Sequence, residues 1–226
     1  MSKHIILTLD GPAGVGKTTM ARKLADYLKI AYLDTGAMFR GIAYLLGQEA
    51  LHYSDTTLQT KLLEFKFDLK KDSKDNKFVL SLNNRKLGPE IRTEEVGMLA
   101  SALATKGVVR EFLKQAQREI GKRFSLVAEG RDMGTVVFKD ASLKFFLDAT
   151  PEERARRRLA QLKMQGIEVD YKKILEQIIA RDRQDRTRKI APLCPAQDAI
   201  IIDTTDLSLE DVFNALKKHL SDFGLV

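Results

Sequence analysis

Cysteine occurs once in the 226 residues, at Cys194, tryptophan is absent, histidine numbers three, and aromatic residues make up 7%. A lone thiol cannot close an intramolecular disulfide, and scattered histidines leave no zinc arrangement built on Cys and His spacing. This usage predicts a reducing, cytoplasmic setting, with Cys194 itself a small buried apolar side chain. No apolar run approaches the roughly 20 residues needed to cross a bilayer, and the amino terminus shows no apolar secretion segment, so no membrane partner is expected. The scarcity of rings argues against a base-stacking platform for a nucleic acid polymer.

What is plentiful is charge: 38 Lys and Arg against 31 Asp and Glu give a formal net charge of +7. Such a surplus predicts affinity for anions without saying which. With 44% apolar residues, the chain is long enough for one main domain with a small appendage.

The run from His4 to Asp10 is apolar and β-branched and stops at a glycine, as a buried strand does. Helical spacing follows from Thr18 to Leu28, with Met20, Leu24, Ala25 and Leu28 near one face, and Ile30 to Leu33 starts a second strand. Asp34 and Thr35 are candidate caps for a helix carrying Met38, Phe39, Ile42 and Leu45, which brings Arg40 close to the carboxyl end of that strand. Residues 65–91 break the rhythm: FKFDL alternates, KKDSKDN is a charged turn and KFVLSLNN alternates again, predicting a small antiparallel insertion. Helical spacing returns from Val96 to Ile120, and SLVAEGRD and SLKFFLDAT read as further strands. Two charged helices joined around Gly166 precede a closing strand and helix. The whole is an α/β fold with a parallel sheet flanked by helices. Its core spans 1–64, 92–150 and 191–226, with the insertion at 65–91 and a helical lid at 151–190.

Gly11, Gly16, Lys17 and Thr18 complete the phosphate-loop pattern, and they sit between strand and helix as that motif requires. Across Gly11, Pro12, Ala13, Gly14, Val15 and Gly16, backbone N–H groups can turn inward around phosphate oxygens. The helix start at Lys17, Thr18 and Thr19 adds uncapped N–H groups and a favourable dipole end. Lys17 reaches the terminal phosphates, and Thr18 is the expected contact to Mg²⁺, direct or through water, with the metal arriving largely with ATP. No Asn-Lys-x-Asp segment is present to read guanine, which disfavours a GTPase; a nucleic-acid-coupled ATPase stays open.

A second cluster is basic. Arg181, Asp185 and Arg188 share a helix face by spacing, and Arg131 and Asp132 follow a strand at the sheet edge that Arg40 also enters. Guanidinium groups hold phosphate bidentately, and several could offset the repulsion between ATP and a monophosphate acceptor. Arg154, Arg156, Arg157 and Arg158 lie on a helix able to close over ATP, and Arg157 is assigned to the nucleotide.

Over essentially its full length the chain resembles the bacterial cytidylate kinases, a branch of the nucleoside monophosphate kinases. The landmarks are DGPAGVGKTT, LDTGAMFR, GPEIRTEEV, AEGRDMGTVVF, FLDATPEERARRR, RDRQDRTRKIAPL and IIIDTT. The resemblance implies reversible transfer of the γ-phosphate of Mg·ATP to CMP or dCMP, in line and without a covalent enzyme intermediate, by a monomer. It implies that Lys17, Arg40, Arg131 and Arg188 are catalytic and that Arg40, Arg131 and Arg188 grip the acceptor phosphate. Ser101, Arg110 and Asp132 would read the cytosine, and Arg181 and Asp185 would contact the sugar region. Thr35 stands where serine is frequent and keeps the hydroxyl. Phe39 stands where tyrosine is common, so it offers the acceptor site packing alone. Thr18 departs from a frequent glycine or serine but satisfies the general loop rule.

Overall fold

The computed structural model describes residues 4–72 and 77–225. Five parallel strands, β1 (Ile6–Asp10), β2 (Ala31–Asp34), β6 (Leu126–Gly130), β7 (Leu143–Asp148) and β8 (Ile200–Asp203), lie in the order β2-β6-β1-β7-β8. Both faces are covered, which explains why β1, β6 and β7 read as continuous apolar runs rather than alternating ones.

One face packs on α1 (Lys17–Leu28) and the last helix, α8 (Leu209–Asp222), through Met20, Leu24, Val212 and Leu216 against Leu7, Leu9 and Phe145. The other packs on α2 (Thr35–Leu46), α3 (Asp55–Leu62), α4 (Glu94–Leu103) and α5 (Gly107–Arg123), through Met38, Ile42, Leu58, Leu103 and Leu113. Leu45, expected on the apolar side of α2, is 48% exposed, and Ala43 is buried instead. The single helical stretch expected over 96–120 divides at 104–106, where Lys106 leaves helical geometry and starts α5. The α3 helix had little signal: Ser54 caps it by accepting from Thr57 N–H, but only Leu58 and Leu62 are buried.

The insertion forms β3 (Phe67–Lys71), β4 (Phe78–Leu82) and β5 (Arg85–Lys86), an antiparallel unit as anticipated. Within its charged turn, 73–76 lie outside the described residues. Asn83 and Asn84 turn the second hairpin with φ of 49° and 62°, the left-handed conformation that a two-residue hairpin demands. Leu82 and Leu87 press on α2 at Gly41, where a Cβ would come within 3.2 Å of each. The insertion thus braces the helix that carries Arg40. The two charged helices are α6 (Pro151–Met164) and α7 (Tyr171–Thr187), packed on each other with Gly166 between them at a φ of 73°. Among the described residues no helix is long and apolar enough to cross a membrane.

A further expectation is overturned. Cys194 is exposed, because its neighbour Leu193 takes the buried position, with its N–H donated to the Asp185 carbonyl at 2.8 Å.

Candidate active site

The loop after β1 owes its shape to backbone that only glycine can adopt. Gly11 has a φ of 145°, and a Cβ there would lie 2.0 Å from the Leu147 carbonyl oxygen. Gly14 and Gly16 also have positive φ, 84° and 93°. Lys17 is buried and donates to the Pro12 carbonyl at 2.5 Å, curling over its own loop. Burial, then the charge of Arg131, holds its ammonium well below the usual lysine range. The side chain of Val15 packs into the core, while Thr19 is exposed.

The Thr18 hydroxyl donates to Glu129 Oε2 at 2.9 Å, and the Tyr32 hydroxyl donates to the other oxygen of that carboxylate. Burial and the neighbouring Asp34 push the Glu129 carboxyl up. Among the described residues no group of three or more His, Cys, Asp or Glu side chains is placed to hold a metal. Thr18 and Glu129 are nonetheless oxygen donors of the kind Mg²⁺ takes. A metal that brings phosphate oxygens and water with it fits such a sparse set.

Beside this loop, at the carboxyl ends of β2 and β6, guanidinium groups converge. Arg131 Nε donates to Asp185 at 2.8 Å, and Arg110 donates to Asp132 at 2.6 Å. Arg188 lies 3.5 Å from Asp132 and 3.6 Å from Asp185, its Nε donating to the Ala191 carbonyl at 2.6 Å. Chain segments far apart in sequence are thereby interlocked. Arg40 donates to the carbonyls of Ile91 and Thr93 at 3.1 and 3.0 Å, in space left by Gly97, where a Cβ would meet its Nη2 at 2.7 Å. Phe39, next on α2, lies under Arg110 with the guanidinium carbon 5.6 Å from the ring centre. Phe39, Arg110 and Asp132 line one end of a cavity of ≈ 80 Å³.

The electrostatics show an excess of positive charge. Burial, then Arg131, pushes Arg181 down to about 10. Burial also lowers Arg188, with Arg110 adding to it, and lowers Arg40, with Arg92 adding. Burial opposes ionisation of Asp185, but Arg131 and Arg181 outweigh it, so its carboxyl lies below the usual range. Arg181 Nε and Arg188 Nη2 are buried and make no hydrogen bond within the protein. Repelling cations with unused donors have the charge and hydrogen-bonding capacity to receive an anion.

Of the residues singled out from sequence, Lys17, Arg40, Arg110, Arg131, Asp132, Arg181, Asp185 and Arg188 are brought into one electrostatically connected cluster. Others are engaged elsewhere. The Thr35 hydroxyl is buried and donates to the Glu129 carbonyl at 2.6 Å, while Asp34 caps α2 from Ala37 N–H. Ser101 meets α7 through its carbonyl, which accepts from Gln184 at 3.4 Å. Arg157 donates to Glu153 and to Thr204 at the end of β8.

Arg154, not separated from its three neighbours by sequence, is the one turned inward, at 1% exposure. It donates to the Ala149 carbonyl at 3.0 Å, to the Ala13 carbonyl of the loop at 3.2 Å, and to both oxygens of Asp182. Asp182, which spacing alone leaves in a solvated charge network, is buried as its partner. Sequence reading also passed over Asp10, Glu129 and Arg92. The first two end or nearly end strands at the binding edge, and that position was the available signal. Arg92 donates to Asp34 at 2.6 Å.

The family model described as cytidylate kinase matches residues 7–222. A cytidylate kinase of Oleidesulfovibrio alaskensis is 56% identical over 220 residues, covering 97% of this chain and 100% of its own length. One of Maridesulfovibrio salexigens is 55% identical over 216 residues, covering 96% of each. Among solved structures, TT1252 from Thermus thermophilus shares the fold with a TM-score of 0.50 at 21% identity, covering 97% of this chain and 98% of that one. A complete phosphate loop beside a cluster of arginines, on a chain matched over nearly its whole length by such relatives, places this enzyme in the cytidylate kinase family.

Proposed function

We propose that the enzyme moves the γ-phosphate of Mg·ATP directly to CMP or dCMP, giving ADP and CDP or dCDP, with no covalent enzyme intermediate. The observation that carries this reading is the adjacency of two anion sites of different construction. Lys17 on the donor loop lies within the electrostatic reach of Arg131 and Arg181 on the acceptor side. Two nucleotides bound there would meet with their phosphates facing each other.

The acceptor is itself a phosphate, whose ionised oxygen is the nucleophile, so no protein general base is required. The work left to the chain is alignment and charge compensation. Lys17 exchanges its Pro12 carbonyl for the donor phosphates. Arg40, Arg131 and Arg188 hold the acceptor phosphate, with Arg181 and Asp185 at the sugar and Ser101, Arg110 and Asp132 at the base. Asp132 accepts from the exocyclic amino group of cytosine, where uracil would set a carbonyl against a carboxylate. Mg²⁺ entering with ATP supplies charge neutralisation between donor phosphates, and Thr18 would meet it directly or through water. The 151–190 region acts as the lid over ATP, its root braced by Arg154, and Arg157 is the lid residue assigned to the nucleotide. A monomer in the cytoplasm, with no nucleic acid or membrane partner, completes the reading.

The test is steady-state transfer from Mg·ATP to CMP, dCMP, UMP, AMP and GMP, detecting ADP and the diphosphate, with a control lacking acceptor. Strong CMP and dCMP turnover with weak UMP turnover is expected. Preference for another acceptor would overturn the base assignment, and hydrolysis independent of acceptor would overturn kinase chemistry.

A further inference from the structure

The donor loop and the acceptor cluster leave neighbouring strands, and one buried side chain joins them. Asp10 is the last residue of β1, immediately before the first loop glycine, and its register partner on β6 is Gly130, immediately before Arg131. It is 4% exposed. Its Oδ1 accepts from Met133 N–H at 2.9 Å and its Oδ2 from Gly134 N–H at 2.8 Å. Those amides open the wide π-type turn Met133–Val137, which follows Arg131 and Asp132 directly. N–H groups at such a start have no partner within the turn, and here a carboxylate from another strand satisfies both.

The cost of this arrangement marks it as purposeful. Burial pushes the Asp10 carboxyl up to about 6 despite the two amides, and Asp132 adds to the rise while Lys17 opposes it. Gly134 lets the turn approach closely, since a Cβ there would lie 3.0 Å from Thr8 Oγ1, 3.1 Å from Lys144 Cδ and 3.4 Å from Asp10 Oδ2. A buried carboxylate that ends the strand before the loop and hydrogen-bonds to the backbone just past Arg131 and Asp132 links the two segments directly.

We propose that Asp10 is a positioning residue that sets Arg131 and Asp132 in register with the donor loop. This rests on the acceptor role proposed above for those two residues. Its effect is on the acceptor rather than on ATP: the donor loop keeps its shape through its own glycines, whereas the Met133 and Gly134 N–H groups just past Arg131 and Asp132 are satisfied by the Asp10 carboxylate.

Asp10→Asn tests this, because the amide keeps the size but sets an NH₂ against one of the two N–H groups. We expect kcat/KM for CMP to fall at least ten-fold while KM for ATP stays within two-fold of wild type. CMP parameters within two-fold of wild type, or ATP and CMP parameters weakened alike, would overturn the proposal. Should Asp10→Asn not fold, Asp10→Glu takes its place: it keeps the carboxylate but lengthens the side chain by one methylene, displacing the oxygens from the Met133 and Gly134 N–H groups. The same acceptor-selective loss, about three-fold, is expected, and no loss overturns the proposal. Failure of the functional reading shows separately, in the acceptor panel on wild type; if another monophosphate is preferred, the same comparison on that acceptor decides Asp10.

Discussion

The glycine loop after β1 and the arginine cluster, proposed as donor and acceptor sites, both carry positive character, but one is made of backbone and the other of side chains. At the loop, glycine torsions aim N–H groups, and the side chains of Val15 and Pro12 are buried away from the cleft. At the cluster, guanidinium groups from α5, the end of α7 and the segment after β6 are held in place by two shared carboxylates, Asp132 and Asp185, while Arg40 on α2 is held by the carbonyls of Ile91 and Thr93. The loop is therefore intolerant of added atoms, and the cluster of removed charge.

That contrast breaks most visibly at Gly11. Alanine there would combine a φ of 145° with a Cβ 2.0 Å from the Leu147 carbonyl, a backbone atom within the central sheet. Neither element can yield locally, so Gly11→Ala is expected to lose at least about 4 kcal/mol of stability and roughly 10 °C in Tm. Thermal unfolding measures it, and a wild-type midpoint would show that the loop's shape does not depend on glycine at this position.

The same contrast explains what the sequence made legible. A backbone device has to be written in consecutive residues, so the loop, its strand and its helix could be placed from Gly11 to Thr18 alone. A side-chain device can be drawn from anywhere: Arg110 and Asp132 are 22 positions apart and Arg131 and Asp185 are 54 apart. Their residue types announced anion binding, their expected roles came from the family resemblance, and their pairing is visible only in the structure. Arg154 was the hardest case. Four arginines within five positions look equivalent along the chain, and only the packing of α6 against α7 selects the one that Asp182 can neutralise. Cys194 failed for a related reason, since small apolar size is a preference for burial and Leu193 beside it met the demand first.

On the acceptor side the expected loss is of activity rather than of fold. Arg131→Ala removes one guanidinium while Asp185 retains Arg188 3.6 Å away and the nearby charge of Arg181. The protein should fold, with its Tm within a few degrees of wild type. Its kcat/KM for CMP should fall by about 10²–10³, the scale of losing one preorganised charge-stabilising donor. Normal kcat/KM in a folded Arg131→Ala enzyme would mean that the cluster does not act through individual charges, and the contrast with the loop would lose its basis.

The smallest effect is expected where the cluster has no charge to lose. Phe39 lies half-buried beside Arg40, packed on the core and stacked under Arg110. A hydroxyl at its ring edge would need a free partner to matter. Arg110 and Asp132, which line the same cavity as Phe39, are already joined at 2.6 Å. A new neutral hydrogen bond contributes about 1 kcal/mol, and less when it must displace a charge-assisted one. Phe39→Tyr should therefore leave KM for CMP within two-fold. Steady-state titration of CMP at saturating ATP reads this directly, and a drop in KM of more than five-fold would show that the site holds an unmet acceptor, making the ring position a source of specificity as well as packing.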